Sequence, residues 1–135
     1  MGPPAVPSGR TAVTLAALFI LISCPVTSRA DDGIPADRET QLRQAYYNDR
    51  VLETCGLYTA EVYDGFQRRV TYLIVTSGID DEARKRIEID GWSDADYQYG
   101  NHGMAGFRFW CASDGKRAAA EFLEFRRQQL VDQKR

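Results

Sequence analysis

Several things this chain of 135 residues lacks narrow what it can be. It has one histidine, His102, set between Asn101 and Gly103, and neither Ser93 nor Ser113 carries a nucleophile motif around it. Imidazole-assisted nucleophilic catalysis therefore has no support. There is no C-x-x-C pair, so a tuned redox dithiol is excluded, and no C-x-x-C-H, so covalent haem is excluded too. Met104 does not rescue a haem site, because residues two apart on a helix face different ways. Positive charge is not in excess. The formal net charge is −2, which disfavours nucleic acid and offers no polybasic patch for an anionic membrane. Long apolar runs are missing as well. The longest, Thr11 to Ser23, would reach roughly 20 Å as a helix against a hydrocarbon core of about 30 Å.

What that short run does match is a leader. It follows the single cation Arg10, is broken by Pro25, and is succeeded by Ser28-Arg29-Ala30 before Asp31-Asp32. A basic n-region, an apolar h-region and a small-x-small cleavage site make a signal peptide over residues 1–30. The expected compartment is the periplasm, where thiols oxidise. An alternative reading of the same stretch is Leu21-Ile22-Ser23-Cys24 as a relaxed lipobox, with Cys24 acylated. Pro25 immediately after the cysteine weighs against it. Residues 31–36 (DDGIPA) read as a flexible leader, and 37–135 as a single domain of roughly the usual size.

Across that domain the apolar residues recur at steps of three and four, the helical period. Asp37 is placed to cap a first helix whose stripe runs through Leu42, Tyr46, Leu52, Cys55, Val62, Phe66 and Leu73. Gly56 and Gly65 weaken it by about 1 kcal/mol each, and a kink or short break is expected near Gly56. Val70 to Thr76 (VTYLIVT) is strand-like in composition, but the flanking periodicity favours helix. Ser77-Gly78 stops this segment and Asp80 caps the next, with Asp81 and Glu82 at its positive end. Asp90-Gly91 reads as an interruption, with Ser93 restarting a third helix to about Cys111 along the stripe Tyr97, Gly100, Met104, Phe107 and Cys111. Gly100, Gly103 and Gly106 mark either a close helix approach or a looser stretch. Ser113 is expected to cap a last helix carrying Ala118, Ala119, Phe122, Leu123, Phe125 and Leu130.

Once the leader is set aside, Cys55 and Cys111 are the remaining cysteines and both fall on apolar stripes. A disulfide between them would close a loop of about 57 residues and, by loop entropy, contribute roughly 4 kcal/mol. The acids Asp80, Asp81, Glu82, Glu88 and Asp90 lack calcium-loop spacing, and helix capping accounts for the cluster. No metal, cofactor or catalytic residue is therefore assigned. Tyr47, Tyr99, Phe109 and Trp110 fall off the apolar stripe and, with Arg108, form the candidate partner-binding face.

Cys55-Gly56 after a helix, Asp80 through Arg86 (DDEARKR), Tyr99-Gly100 through Phe109 and Cys111, and Ala118 through Leu123 (AAAEFL) together resemble a family of small exported alphaproteobacterial helical proteins of unassigned function with two well-separated cysteines. The resemblance implies a helical fold and an exported location, and no activity. The expectation is an all-α chain, a small antiparallel three- to four-helix bundle stapled by one disulfide. Its expected role is non-enzymatic, binding or stabilising another envelope protein. An acid- or stress-responsive periplasmic chaperone and a hydrolase with an unrecognised carboxylate pair stand as alternatives.

Overall fold

The computed structural model describes Gly2 and residues 36–135. The leader assigned to residues 1–30, the lipobox reading of Cys24 and all but the last residue of the 31–36 stretch lie outside those residues, Gly2 apart. Among the described residues the chain is helical, with no strand, and no helix is long and apolar enough to cross a membrane.

Helix α1 spans Ala36–Cys55. It starts before Asp37, which sits in the first turn and accepts from Gln41 Nε2 at 2.6 Å instead of capping the end. Its stop is a Schellman turn: Gly56 adopts φ +64°, its N–H donates to the Glu53 carbonyl, and Leu57 N–H reaches back to Leu52 at 3.0 Å. A left-handed residue is needed there, and glycine takes it without a Cβ clash. The break expected near Gly56 is therefore a full chain reversal. Thr59 then caps α2, Ala60–Ser77, by accepting from Val62 N–H at 3.3 Å. The strand-like VTYLIVT stretch is helical, as its flanking period indicated. Gly78 closes α2 at φ +68° and Asp80 opens α3, Asp81–Trp110, accepting from Ala83 N–H at 2.7 Å.

Three boundaries differ from the sequence reading. Asp90-Gly91 does not interrupt α3 and Ser93 caps nothing. The helix runs through both because Gly91 is buried against α1, where a Cβ would lie 2.6 Å from the Arg43 carbonyl oxygen and 2.9 Å from Tyr46 Cβ. The break comes later, at Gly103, with φ 59° and ψ −176° inside α3. Ala95 and Trp110 share one buried cluster, yet in a straight helix they would be roughly 22 Å apart, so the chain doubles back at Gly103. Finally, Ser113 caps no helix. Trp110 passes into a π-helical turn, Cys111–Gly115, which continues directly into α4, Lys116–Asp132. Ser113 Oγ instead donates back to the Phe109 and Trp110 carbonyls.

The directions of packing follow from the pairs. α1 and α2 are antiparallel, with Gln41 bonded to Arg69 and Tyr46 edge-on to Phe66. α1 and α3 run in the same sense, Arg43 pairing with Asp94 and Arg50 with Asp96. α2 lies on α4 at a close crossing where Gly65 faces the Phe122 backbone. Leu42, Leu52, Leu73 and Phe122 are fully buried between them. The Cys55–Cys111 disulfide ties the end of α1 to the π turn, and Gly115 packs beneath it against Leu57 and Cys55. Asn48, 3% exposed, is the one buried polar side chain among the described residues. It is satisfied by Gln44 and by donating to Glu121 at 2.9 Å across the bundle, as a buried amide must be.

Candidate functional site

The aromatic face expected from the sequence is split by the fold. Trp110 is 3% exposed and belongs to the core with Val51 and Ala95, and Tyr47 is half-buried against the same cluster. Both support the disulfide end of the bundle. Tyr99, Arg108 and Phe109 stay at the surface. The doubling back at Gly103 brings Tyr99 edge-on to Phe107 at 5.5 Å and lays His102 over the Trp110 ring at 5.6 Å. Met104, assigned to the apolar stripe, is 96% exposed, and Phe109 is 79% exposed. Met104 borders two shallow hollows, one with Tyr99, Gly100, Gly103 and Phe107, the other with Ala105, Arg108, Phe109 and Ala112. The exposed face is therefore Tyr99, Met104, Arg108 and Phe109, with Phe107 half-buried at its edge against the Val51, Ala95 and Trp110 cluster. The sequence reading missed that Met104 joins it, since a straight helix would have turned it inward with Phe107 and Cys111, which do pack against the core.

A second site was not visible in the sequence. Between α1, α2 and α3 lies a cleft of about 410 Å³, continuous through Asp49, Tyr63 and Trp92 with a neighbouring hollow of about 450 Å³. Five rings follow one another around it in edge or tilted contact: Tyr58 on Tyr63, Tyr63 on Phe66, Phe66 on Tyr46 and Tyr46 on Trp92. Asp49 closes the circuit, accepting from the Tyr58 hydroxyl at one end and from Trp92 Nε1, at 3.1 Å, at the other. Burial pushes the Asp49 carboxyl up to about 6, against the lowering effect of the Trp92 hydrogen bond. The flanking charges are already engaged. Arg50 holds Glu53 at 2.6 Å and Asp96 at 2.8 Å, and Arg84 holds Glu88 at 2.9 Å. One local signal existed: Asp49 stands at i+4 from Ala45 and i+3 from Tyr46, a charged residue on an apolar stripe. Its partners, nine and forty-three residues away, were not readable.

This carboxyl gives a stability prediction. The folded protein keeps the Asp49 proton up to about pH 6, while the unfolded chain releases it near 3.8. Between those values the native state binds more protons, so this group adds stability as pH falls and withholds it at neutral pH. Asp49→Asn keeps a Trp92 acceptor and a Tyr58 partner without charge. Urea unfolding near neutral pH should show the variant more stable by about 1–2 kcal/mol, a figure already reduced for solvent screening. The gain should vanish below about pH 4. A variant less stable than the parent at every pH would contradict this assignment.

The described His, Cys, Asp and Glu side chains gather nowhere in a group of three fit to hold a metal ion. Neither a protein-family model, nor a curated protein, nor a solved structure matches the chain.

Proposed function

We propose that this chain is a non-enzymatic protein of the periplasm that binds another envelope protein through the exposed face at the Gly103 turn. The observation that carries the reading is Met104, 96% exposed between two apolar hollows and flanked by Tyr99, Phe107 and Phe109. Isolated exposed apolar residues need no explanation, but a contiguous aromatic and methionine surface is the composition of recognition sites. Arg108 borders one hollow and, among the described residues, no acid lines either, so the matching partner surface is apolar with a carboxylate set to meet that guanidinium. The compartment rests on the leader-like residues 1–30, on the disulfide, which persists where thiols are oxidised, and on the resemblance to small exported helical proteins.

The acid-chaperone alternative requires a fold that loosens as pH falls. Asp49 acts the other way, whereas Asp64, held below the usual carboxylate range by Arg68 and Arg126, favours acid loosening. No single observation lifts that reading above the first.

Photo-crosslinking tests the proposal. A benzophenone side chain at position 104 or 109, expressed in cells with the leader intact, should give one discrete adduct. The same group at Lys85, exposed on the first half of α3, should give none. Phe109→Asp should remove the adduct formed from position 104 while leaving the helical circular dichroism and thermal midpoint unchanged. Adducts equally abundant from all three positions, or absent from both 104 and 109, would refute the proposal.

A further inference from the structure

The geometry of the Asp49 cleft points to a second site, distinct from the docking face: a receptor for a small organic cation, an amine or quaternary ammonium. Three features carry this. First, the cleft of about 410 Å³ is lined by Tyr58, Tyr63 and Trp92, a volume in the range of small-ligand sites. Tyr63 is 54% and Trp92 38% exposed, so both rings retain surface for a ligand. Aromatic faces carry negative quadrupole charge, and several around one space make an enclosure for a cation.

Second, the enclosure holds a carboxylate that no described basic side chain pairs with directly, Arg50 acting on it only through space. Among the described residues Asp49 takes part in no ion pair; it accepts hydrogen bonds from Tyr58 and Trp92. Neither donor carries charge, so a negative charge remains half-buried in the wall. A buried ion without a counter-ion is costly, and a bound ammonium would supply one. Third, the nearby cations are committed. Among the described residues, the charged or titratable groups facing Asp49 are Tyr46, Arg50 and Glu53 on α1, Tyr58 in the α1–α2 connection, Tyr63 on α2, and Arg84 and Glu88 on α3. Arg50 is shared between Glu53 and Asp96, and Arg84 sits on Glu88. A neutral or anionic ligand would find rings and a carboxylate but, among the described residues, no uncommitted cation. A cation with a compact apolar body would meet both requirements.

Isothermal titration calorimetry on the disulfide-intact protein decides it. The probes are choline, tetramethylammonium and spermidine, set against the uncharged isostere of choline in which carbon replaces nitrogen. At least one cation should bind, and for choline the uncharged isostere should be weaker by about tenfold or more, because the attraction is electrostatic. Asp49→Asn should weaken cation binding by about tenfold or more. Tyr63→Ala, at an exposed ring, should weaken it several-fold without lowering the thermal midpoint, which separates a lost contact from a lost fold. Binding should also be about tenfold weaker near pH 5 than near pH 7.5, as the Asp49 carboxylate takes up its proton. No heat from any of the three cations, equal affinity for choline and its isostere, or unchanged affinity in Asp49→Asn would each overturn the assignment.

Discussion

Replacing Cys55 and Cys111 together by serine should lower the unfolding free energy by about 4 kcal/mol, and the thermal midpoint by roughly 15–30 °C for a domain of this size. The link joins residues 56 apart in sequence, so without it the unfolded chain regains the freedom of a long loop. Both positions are only half-buried, so serine leaves little new unsatisfied surface and the entropic effect dominates. The loss is large against a typical total of about 5–15 kcal/mol. It should also be uneven across the molecule. The Cys55 end of α1 is held to the π turn by the disulfide, by Gly115 against Leu57, and by the small cluster of Val51, Ala95 and Trp110. The larger core, from Leu42 to Phe122, reaches that end through half-buried Leu57, while the two cysteines pack with the smaller cluster. Trp110 emission should therefore shift in the double variant before far-UV circular dichroism is lost. Urea curves of the two proteins check the first claim, and fluorescence below the main transition checks the second. A stability difference under about 1 kcal/mol would mean that the unfolded chain is already compact around these cysteines.

The second large effect belongs to a glycine. Gly65→Ala should destabilise by about 2 kcal/mol. A Cβ there would lie 2.2 Å from the Phe122 carbonyl oxygen and 2.7 Å from its carbonyl carbon. Backbone cannot swing aside as a side chain does, so α2 and α4 must separate and lose contact around Phe66 and Phe122, whose rings sit 5.5 Å apart. Overpacking of this kind costs about 1–3 kcal/mol or more, offset by alanine's helix preference of about 1 kcal/mol. Gly100→Ala is the matched control. Nothing lies within 4 Å of its Cβ position, so the helix preference acts alone and stability should rise by up to about 1 kcal/mol. Chemical denaturation of both variants should give opposite signs. If Gly65→Ala proved neutral, the close α2–α4 crossing would not be a fixed part of the native packing.

These glycines show where reading the sequence stopped. The chain's helical character, the stop at Gly78, the Asp80 cap and the break at Gly56 were legible, because each depends on residues within about one helical turn. The cysteine pair was legible by elimination. Gly65, Gly91, Gly100 and Gly103 look alike in a sequence, each a costly residue in a helical pattern. Gly65 and Gly91 receive a neighbouring backbone, Gly103 turns the chain, and Gly100 faces open space. The candidate face was half legible: Tyr99, Arg108 and Phe109 are exposed, while Trp110 is in the core and Met104 outside it. Periodicity assumes a straight helix, and the Gly103 turn breaks that assumption between the two halves of the stripe.

The sequence by itself determined that the chain would be helical, that it would break at Gly56, stop at Gly78 and restart at Asp80, and which two sulfurs would meet. Those outcomes are set by local hydrogen bonding, by the period of apolar residues and by the small number of cysteines. Tertiary structure alone decided which glycines admit a neighbouring backbone, which aromatics face water, and that Asp49 would sit among five rings with no salt bridge to a described residue. Each of those depends on groups brought together from distant parts of the chain, and burial, ring contact and carboxyl desolvation are properties of that assembled surface, not of any one segment.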